Sequence, residues 1–204
     1  MSREDFEKTW LIEMPVGSTP LDTFSTIKYN IDDLTKHGAK VIPLASGLKK
    51  IVLQQTAYYW FENNNEIQIA VELEIKPQGL VIRSVGKNPK FSAARPDAVD
   101  LYNAVLTDSG RAIKLISDEV LTDSGKRIWE KLLATGHTIT VYDSSNPGAS
   151  FNTIKTPQEF DQYYNKSNRE FKKYQYVLAE NGPIMLDLRS LFLGRRYREL
   201  ANIL

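Results

Sequence analysis

The stretch from Glu66 to Arg95, EIQIAVELEIKPQGLVIRSVGKNPKFSAAR, decides how the rest of the chain is read. In its first part Ile67, Ile69, Val71, Leu73 and Ile75 alternate with Gln68, Ala70, Glu72, Glu74 and Lys76. Successive side chains of an extended backbone point to opposite faces, so this alternation predicts a half-buried antiparallel strand with one apolar face. Pro77-Gln78-Gly79 turns the chain, and Leu80, Ile82 and Ser84 continue as a paired strand. That strand empties into a loop carrying Lys87, Lys90, Ser92, Ala93 and Arg95, which opens a helix. A strand, a basic loop and a helix N-terminus together form the candidate anion site, because cations and unpaired backbone amides converge there.

Upstream, Ile51 to Phe61 is β-rich, and Asn63-Asn64-Asn65 turns it back onto the Glu66 strand as a hairpin. The first hundred residues therefore hold a meander of about three strands. Tyr58, Tyr59, Trp60 and Phe61 alternate faces, which predicts two in the core and two partly exposed. Lys40 to Leu44 is extended, with Pro43 arguing against a central position. Before it, Phe24, Ile27, Ile31 and Leu34 fall at helical spacing, with Ser18 or Thr19 as cap and His37-Gly38 as the C-terminal end. Thr9 to Met14 reads as a short first strand.

Downstream, Ala98, Leu101, Tyr102 and Val105 share one helical face, and Arg111 to Ile116 reads as a strand. Thr122, Asp123 and Ser124 offer an N-cap to a helix carrying Ile128, Trp129, Leu132 and Leu133, which ends at Gly136. His137 to Tyr142 is another strand. Thr156-Pro157-Gln158-Glu159 has the form of a capping box ahead of Phe160, Tyr163 and Tyr164. Tyr174 to Ala179 is the last strand. Val71, Leu73, Leu101, Val105, Ile128, Trp129 and Leu132 are expected in one core. The pentapeptide Leu106-Thr107-Asp108-Ser109-Gly110 recurs as Leu121-Thr122-Asp123-Ser124-Gly125. The first copy closes a helix and the second opens one, so the repeat is cap and turn chemistry used twice.

Composition narrows the function classes. At 204 residues with 42% apolar residues the chain suffices for one domain with a real core. A net charge of +1 gives no global field towards nucleic acid, so any basic site is local. No cysteine is present, which excludes disulfides, thiolate catalysis and cysteine zinc sites; two histidines leave no His-rich metal centre. No segment has the length of a membrane span and no signal peptide is evident, so a soluble intracellular protein is expected, with a virus particle as the alternative setting.

Strand, helix, meander, basic loop, helix, strand, helix, strand and final strand is an order similar to that of the GNAT-type N-acetyltransferases. The resemblance is one of topology and runs from about Thr9 to Glu180. It implies a mixed α/β domain over residues 1–180, with a mostly antiparallel central sheet and flanking helices; residues 181–204 lie beyond it as a C-terminal arm. It also implies acetyl-CoA as donor, with the pyrophosphate held by Lys87, Lys90, Ser92, Ala93 and Arg95, and transfer to an amine. Glu72 or Glu74 would act as general base, directly or through water. The family's loop has an Arg/Gln-x-x-Gly-x-Gly/Ala run, whereas Lys87 to Arg95 holds no glycine. The alternative is a non-enzymatic module of the same fold, used in assembly or in a viral particle.

Three further features carry competing readings. Glu74-Ile75-Lys76 matches the end of a metal-dependent nuclease core, which needs a second carboxylate on an adjacent strand; the bland alternative is a charged, solvated strand face. Ser117-Asp118-Glu119 follow a strand at the end where α/β ligands sit. The arm carries Leu188, Leu191 and Phe192, then Arg195-Arg196-Tyr197-Arg198, a basic cluster suited to an acidic protein partner or another subunit.

Overall fold

The computed structural model describes residues 20–92, 95–109, 113–118, 121–143, 152–164 and 174–178. The expected Thr9–Met14 strand, the Ser18 or Thr19 cap, Ala93, Glu119 and the Arg195–Arg198 cluster lie outside the described residues, as do residues 181–204.

Three α-helices and nine strands are described: α1 (Pro20–Lys36), α2 (Ala98–Ser109) and α3 (Asp123–Ala134), with β1 (Ile42–Pro43), β2 (Leu48–Leu53), β3 (Thr56–Asn63), β4 (Glu66–Lys76), β5 (Gly79–Lys87), β6 (Leu115–Ile116), β7 (Ile139–Asp143), β8 (Asn152–Ile154) and β9 (Tyr174–Leu178). The strands form one sheet in the order β1-β2-β3-β4-β5-β6-β9-β7-β8. Every neighbouring pair is antiparallel except β5 and β6, which are parallel. The fold class is therefore mixed α/β with a mostly antiparallel sheet.

The meander has one strand more than the sequence pattern predicts, since the β-rich stretch before Asn63 is two strands, β2 and β3. Gln54 makes the turn between them at φ 48°. Neither Gln54 nor Gln55 is a habitual turn residue, so nothing in the sequence marks the break. The Asn63–Asn65 turn is present, with Asn64 and Asn65 at φ 51° and 60°, where asparagine is tolerated better than most residues.

Helices cover the first half of the sheet on both faces. On one, Phe24, Ile27 and Ile31 of α1 pack with Ile51, Tyr58, Trp60 and Ala70. On the other, Tyr59, Val71 and Leu73 join Leu101 and Val105 of α2 and Ile128, Trp129 and Leu132 of α3 in the main core. The seven expected core residues all belong to that cluster. The two covers also correct the aromatic run: Tyr58, Tyr59 and Trp60 are all buried and only Phe61 is partly exposed. Likewise β4 is buried continuously from Ile67 to Val71, and alternates only from Glu72 onward.

The helices end and begin as their sequences predict. Past α1, Gly38 at φ 83° allows its amide to donate to Thr35 and that of Ala39 to donate to Leu34, a Schellman closure. The Thr122 hydroxyl accepts from the Gly125 amide at 3.0 Å to cap α3. The Thr156 expectation needs correction. Pro157–Gln162 is a 3-10 turn without a side-chain cap from Thr156, and Glu159 reaches back to the Lys155 amide instead.

Candidate functional site

Two bulges shape the face that carries the candidate glutamates. Between β3 and β4 the register steps from Phe61–Ile69 to Glu62–Ile67, leaving Gln68 as the extra residue. Between β4 and β5 it steps from Glu72–Ser84 to Leu73–Ile82, leaving Arg83 as the extra residue of β5. An insertion of one residue flips the alternation and bends the strand. It does so beside the point where β5 loses its other neighbour: β5 and β6 pair only at Leu80–Leu115 and Val81–Ile116. From Ile82 to Lys87 the outer edge of β5 has no strand partner among the described residues.

The seam with β6 is closed tightly at its other end. Gly79, at φ 146°, lies so close to the segment before β6 that a Cβ would fall 2.5 Å from the Lys114 carbonyl oxygen. That carbonyl accepts from the Leu80 amide at 2.8 Å. The two strands thus start in contact and then diverge.

Glu72 lies in a register row with Tyr58 on β3 and Ser84 on β5. The Tyr58 hydroxyl donates to one carboxylate oxygen at 3.3 Å, and the Ser84 hydroxyl to the other at 3.4 Å. Asn30 of α1 donates to the Tyr58 oxygen at 3.4 Å. Burial, and then the charge of Glu72, push the Tyr58 phenol up to about 12, so it remains a donor at neutral pH. No cation forms an ion pair with Glu72 among the described residues. Glu74 differs: it accepts from Arg83 and lies 3.3 Å from Lys76. Arg83 also donates to Asp118 at 3.0 Å, so its guanidinium spans the diverging strands.

The basic loop is placed on the other side of β5. Gly86 faces α1, where a Cβ would fall 2.6 Å from the Phe24 Cα, whereas Lys87 points to the α2 side. Lys87 is buried, which lowers its ammonium pKa, and Asp97 and Asp100 oppose that shift. Asn88 caps the following 3-10 turn by accepting from the Lys90 amide, and it donates to the Ile67 carbonyl at 2.9 Å. Lys90 pairs with Glu66 at 2.7 Å and Arg95 pairs with Asp100. Ser92 ends the turn, its amide donating to Pro89. At the start of α2 the Asp97 carboxylate accepts from the Val99 and Asp100 amides at 3.0 and 3.1 Å, and it pairs with Lys131 of α3. Against the cost of its burial, these contacts hold the Asp97 carboxyl below its ordinary range.

The structure therefore brings Glu72, Glu74 and the sequence-flagged Asp118 to one face, and sets Lys87 on the opposite face, with the free edge of β5 between them. Among the described residues no group of acids or histidines could hold a metal ion. No family model, curated protein or solved structure matches this chain.

Sequence reading missed Arg83, Tyr58 and Asn30 as parts of this face. Arg83 left one trace, a charge directly after the apolar run Leu80-Val81-Ile82. Tyr58 and Asn30 left none, because their meeting depends on how α1 crosses the sheet.

Proposed function

We propose that this chain is a GNAT-like acyltransferase that moves an acetyl group from acetyl-CoA to an amine. The observation that carries the reading is the single parallel pair, which parts near the Arg83 bulge and, among the described residues, leaves the outer edge of β5 without a strand partner, one strand across from Glu72 on β4. An exposed strand edge presents alternating amides and carbonyls to any extended, amide-bearing chain, which suits the pantetheine portion of coenzyme A. At the end of that edge Lys87, Lys90, Ser92 and Arg95 are the residues that would meet its phosphates. Acetyl-CoA supplies an activated thioester carbonyl. Glu72, hydrogen-bonded to two neutral hydroxyls and paired with no cation among the described residues, would take the proton from the attacking amine. The new bond is N–C, the broken one C–S, and the thiolate leaves with a proton from solvent.

One observation favours the second reading, a non-catalytic module of the same fold. Lys90 and Arg95 are already paired with Glu66 and Asp100, and the first amides of α2 are capped by Asp97. An incoming phosphate must displace those carboxylates.

Calorimetric titration with acetyl-CoA separates the two. The acyltransferase reading expects binding that weakens as salt rises, since exposed charge pairs are screened over about 10 Å at 0.1 M. It also expects Lys90→Ala/Arg95→Ala to weaken binding without shifting the melting temperature of the free protein. Absence of heat at millimolar acetyl-CoA establishes the module instead.

A further inference from the structure

On the face shared by Glu72, Glu74 and Asp118, the chain's own cations meet the latter two. Arg83 pairs with Glu74 and Asp118, and Lys76 lies 3.3 Å from Glu74. Glu72, next to Glu74 on the same face of β4, is half-buried yet has no ion pair among the described residues. Its neighbours are neutral. Tyr58 and Ser84 are buried on either side of it, and each gives its one hydroxyl hydrogen to a different carboxylate oxygen, at 3.3 and 3.4 Å. The Tyr58 oxygen in turn accepts from Asn30 of α1. An ionised carboxylate offers about four lone-pair sites and a hydroxyl oxygen about two. At Glu72 and Ser84 the remaining hydrogen-bonding capacity is therefore all of acceptor type, and it surrounds a half-sheltered negative charge that salt screens less than an exposed one.

We propose that Glu72 and Ser84 seat a primary alkylammonium, the head group of a lysine side chain or of an aliphatic polyamine. Such a group carries a full charge and three N–H donors with no acceptor of its own, the complement of what Glu72 and Ser84 offer. An arylamine is uncharged at neutral pH and gains little from the carboxylate. A quaternary ammonium has the charge but no N–H to give. A guanidinium pairs best through two parallel bonds to both oxygens of one carboxylate, and both oxygens of Glu72 already accept a hydroxyl. The inference deepens the acyl-transfer reading by naming its acceptor, and rests on that reading for the use of the seat. Binding as the cation sets an N–H hydrogen against the carboxylate that is to take it. The seat itself needs no coenzyme A.

Titration of the free protein at neutral pH with n-butylammonium chloride, followed by the backbone amide resonances of Glu72 and Ser84, tests the assignment. The shifts should saturate. Glu72→Gln, which keeps the size of the side chain and removes its charge, should weaken binding about tenfold or more. Ser84→Ala removes one acceptor and leaves the charge, so it should weaken binding by a smaller factor. Tetramethylammonium, guanidinium and aniline at the same concentrations should give no saturable shift at these residues. A blocked lysine and putrescine then separate the two sources, the one that saturates at the lower concentration giving the acceptor's class. Butylammonium shifts that do not saturate, or that survive Glu72→Gln unchanged, overturn the seat. Tetramethylammonium or guanidinium binding as tightly overturns the assignment to a primary ammonium. A saturable seat in a chain that gives no heat with acetyl-CoA stands without that use, whereas heat with acetyl-CoA and no seat removes this inference alone.

Discussion

Strand β5 has two flanks that are built differently. On its inner flank it pairs with β4 from Lys76–Gly79 to Ile69–Lys87, and the sheet there is sandwiched between α1 and α2. On its outer flank it pairs with β6 over two residues and then has no strand partner among the described residues. Ladder length and cover set local stability, so the inner flank should open only with global unfolding and the outer flank well before it. The lesson is where a binding surface can be afforded: among the described residues the pairing is incomplete on the flank that borders Arg83 and Asp118, while the ladder to β4, which carries Glu72, holds that edge in place.

The largest test of this contrast is Trp129→Ala. Its ring is fully buried, with centroid distances of 6.5 Å to Tyr102 on α2 and 5.9 Å to Tyr176 on β9. It therefore connects the helix packed on the first half to a strand of the second. Truncation should cost about 3–5 kcal/mol, as large-to-small changes of buried aromatics do. Urea unfolding followed by fluorescence and by circular dichroism should show one shared, earlier transition. Two separated transitions would mean that the flanks unfold as independent units, and undiminished stability would remove Trp129 from the junction.

How much of this was legible follows from where the signals reside. The Glu66–Lys76 strand, the helical faces around Leu101 and Ile128, and the Thr122 cap are local patterns, and local patterns survive folding. The second cover was not legible. Gln68 and Ala70 read as a solvent face because alternation says only that two faces differ; both are buried, Ala70 by packing with α1. The bulge at Arg83 also escaped, since it is a property of register between strands and no residue type demands it. For the site, Glu72 and Glu74 were found as neighbours on one face. Their divergence, one held by hydroxyls and the other by cations, depends on Tyr58, Ser84 and Arg83 arriving from other strands. The loop cations were found too, but the acids that meet them, Glu66 and Asp100, are partners supplied by folding.

A middle-sized effect is expected at Asp97, which ties α2 to α3 and so helps join the two halves. Asp97→Asn keeps the cap on Val99 and Asp100 but loses the charge that meets Lys131 and the helix N-terminus. The cost should be about 0.5–1.5 kcal/mol. The folded-state pKa of Asp97 is depressed below its ordinary 3.8. Its contribution is therefore complete above that value and is lost as pH falls through the folded pKa. Parent and variant should consequently differ in melting temperature at pH 6 and converge as the pH falls through the depressed folded-state pKa. A gap that persists unchanged in strong acid would show that the carboxylate charge is not what the variant removes.

The smallest effect on stability, and the sharpest on chemistry, is expected on the inner flank at Glu72→Gln. The side chain is partly exposed and holds no ion pair among the described residues, so stability should change by no more than about 0.5 kcal/mol. The Tyr58 phenol should respond, however. Its pKa is raised to about 12 by burial first and by the charge of Glu72 second. Neutralising Glu72 removes the second cause and leaves the first, so the phenol should ionise at lower pH in the variant yet still above the ordinary 10.0. Alkaline difference absorbance of phenolate reads this directly, with Tyr58→Phe identifying the step that belongs to Tyr58. If acetyl transfer is observed in the parent chain, the same variant should lower turnover by about 10²–10⁴ while still binding acetyl-CoA. An unchanged titration would mean that Glu72 does not sit against Tyr58. A changed titration with full turnover would leave the geometry intact and take the base role from Glu72.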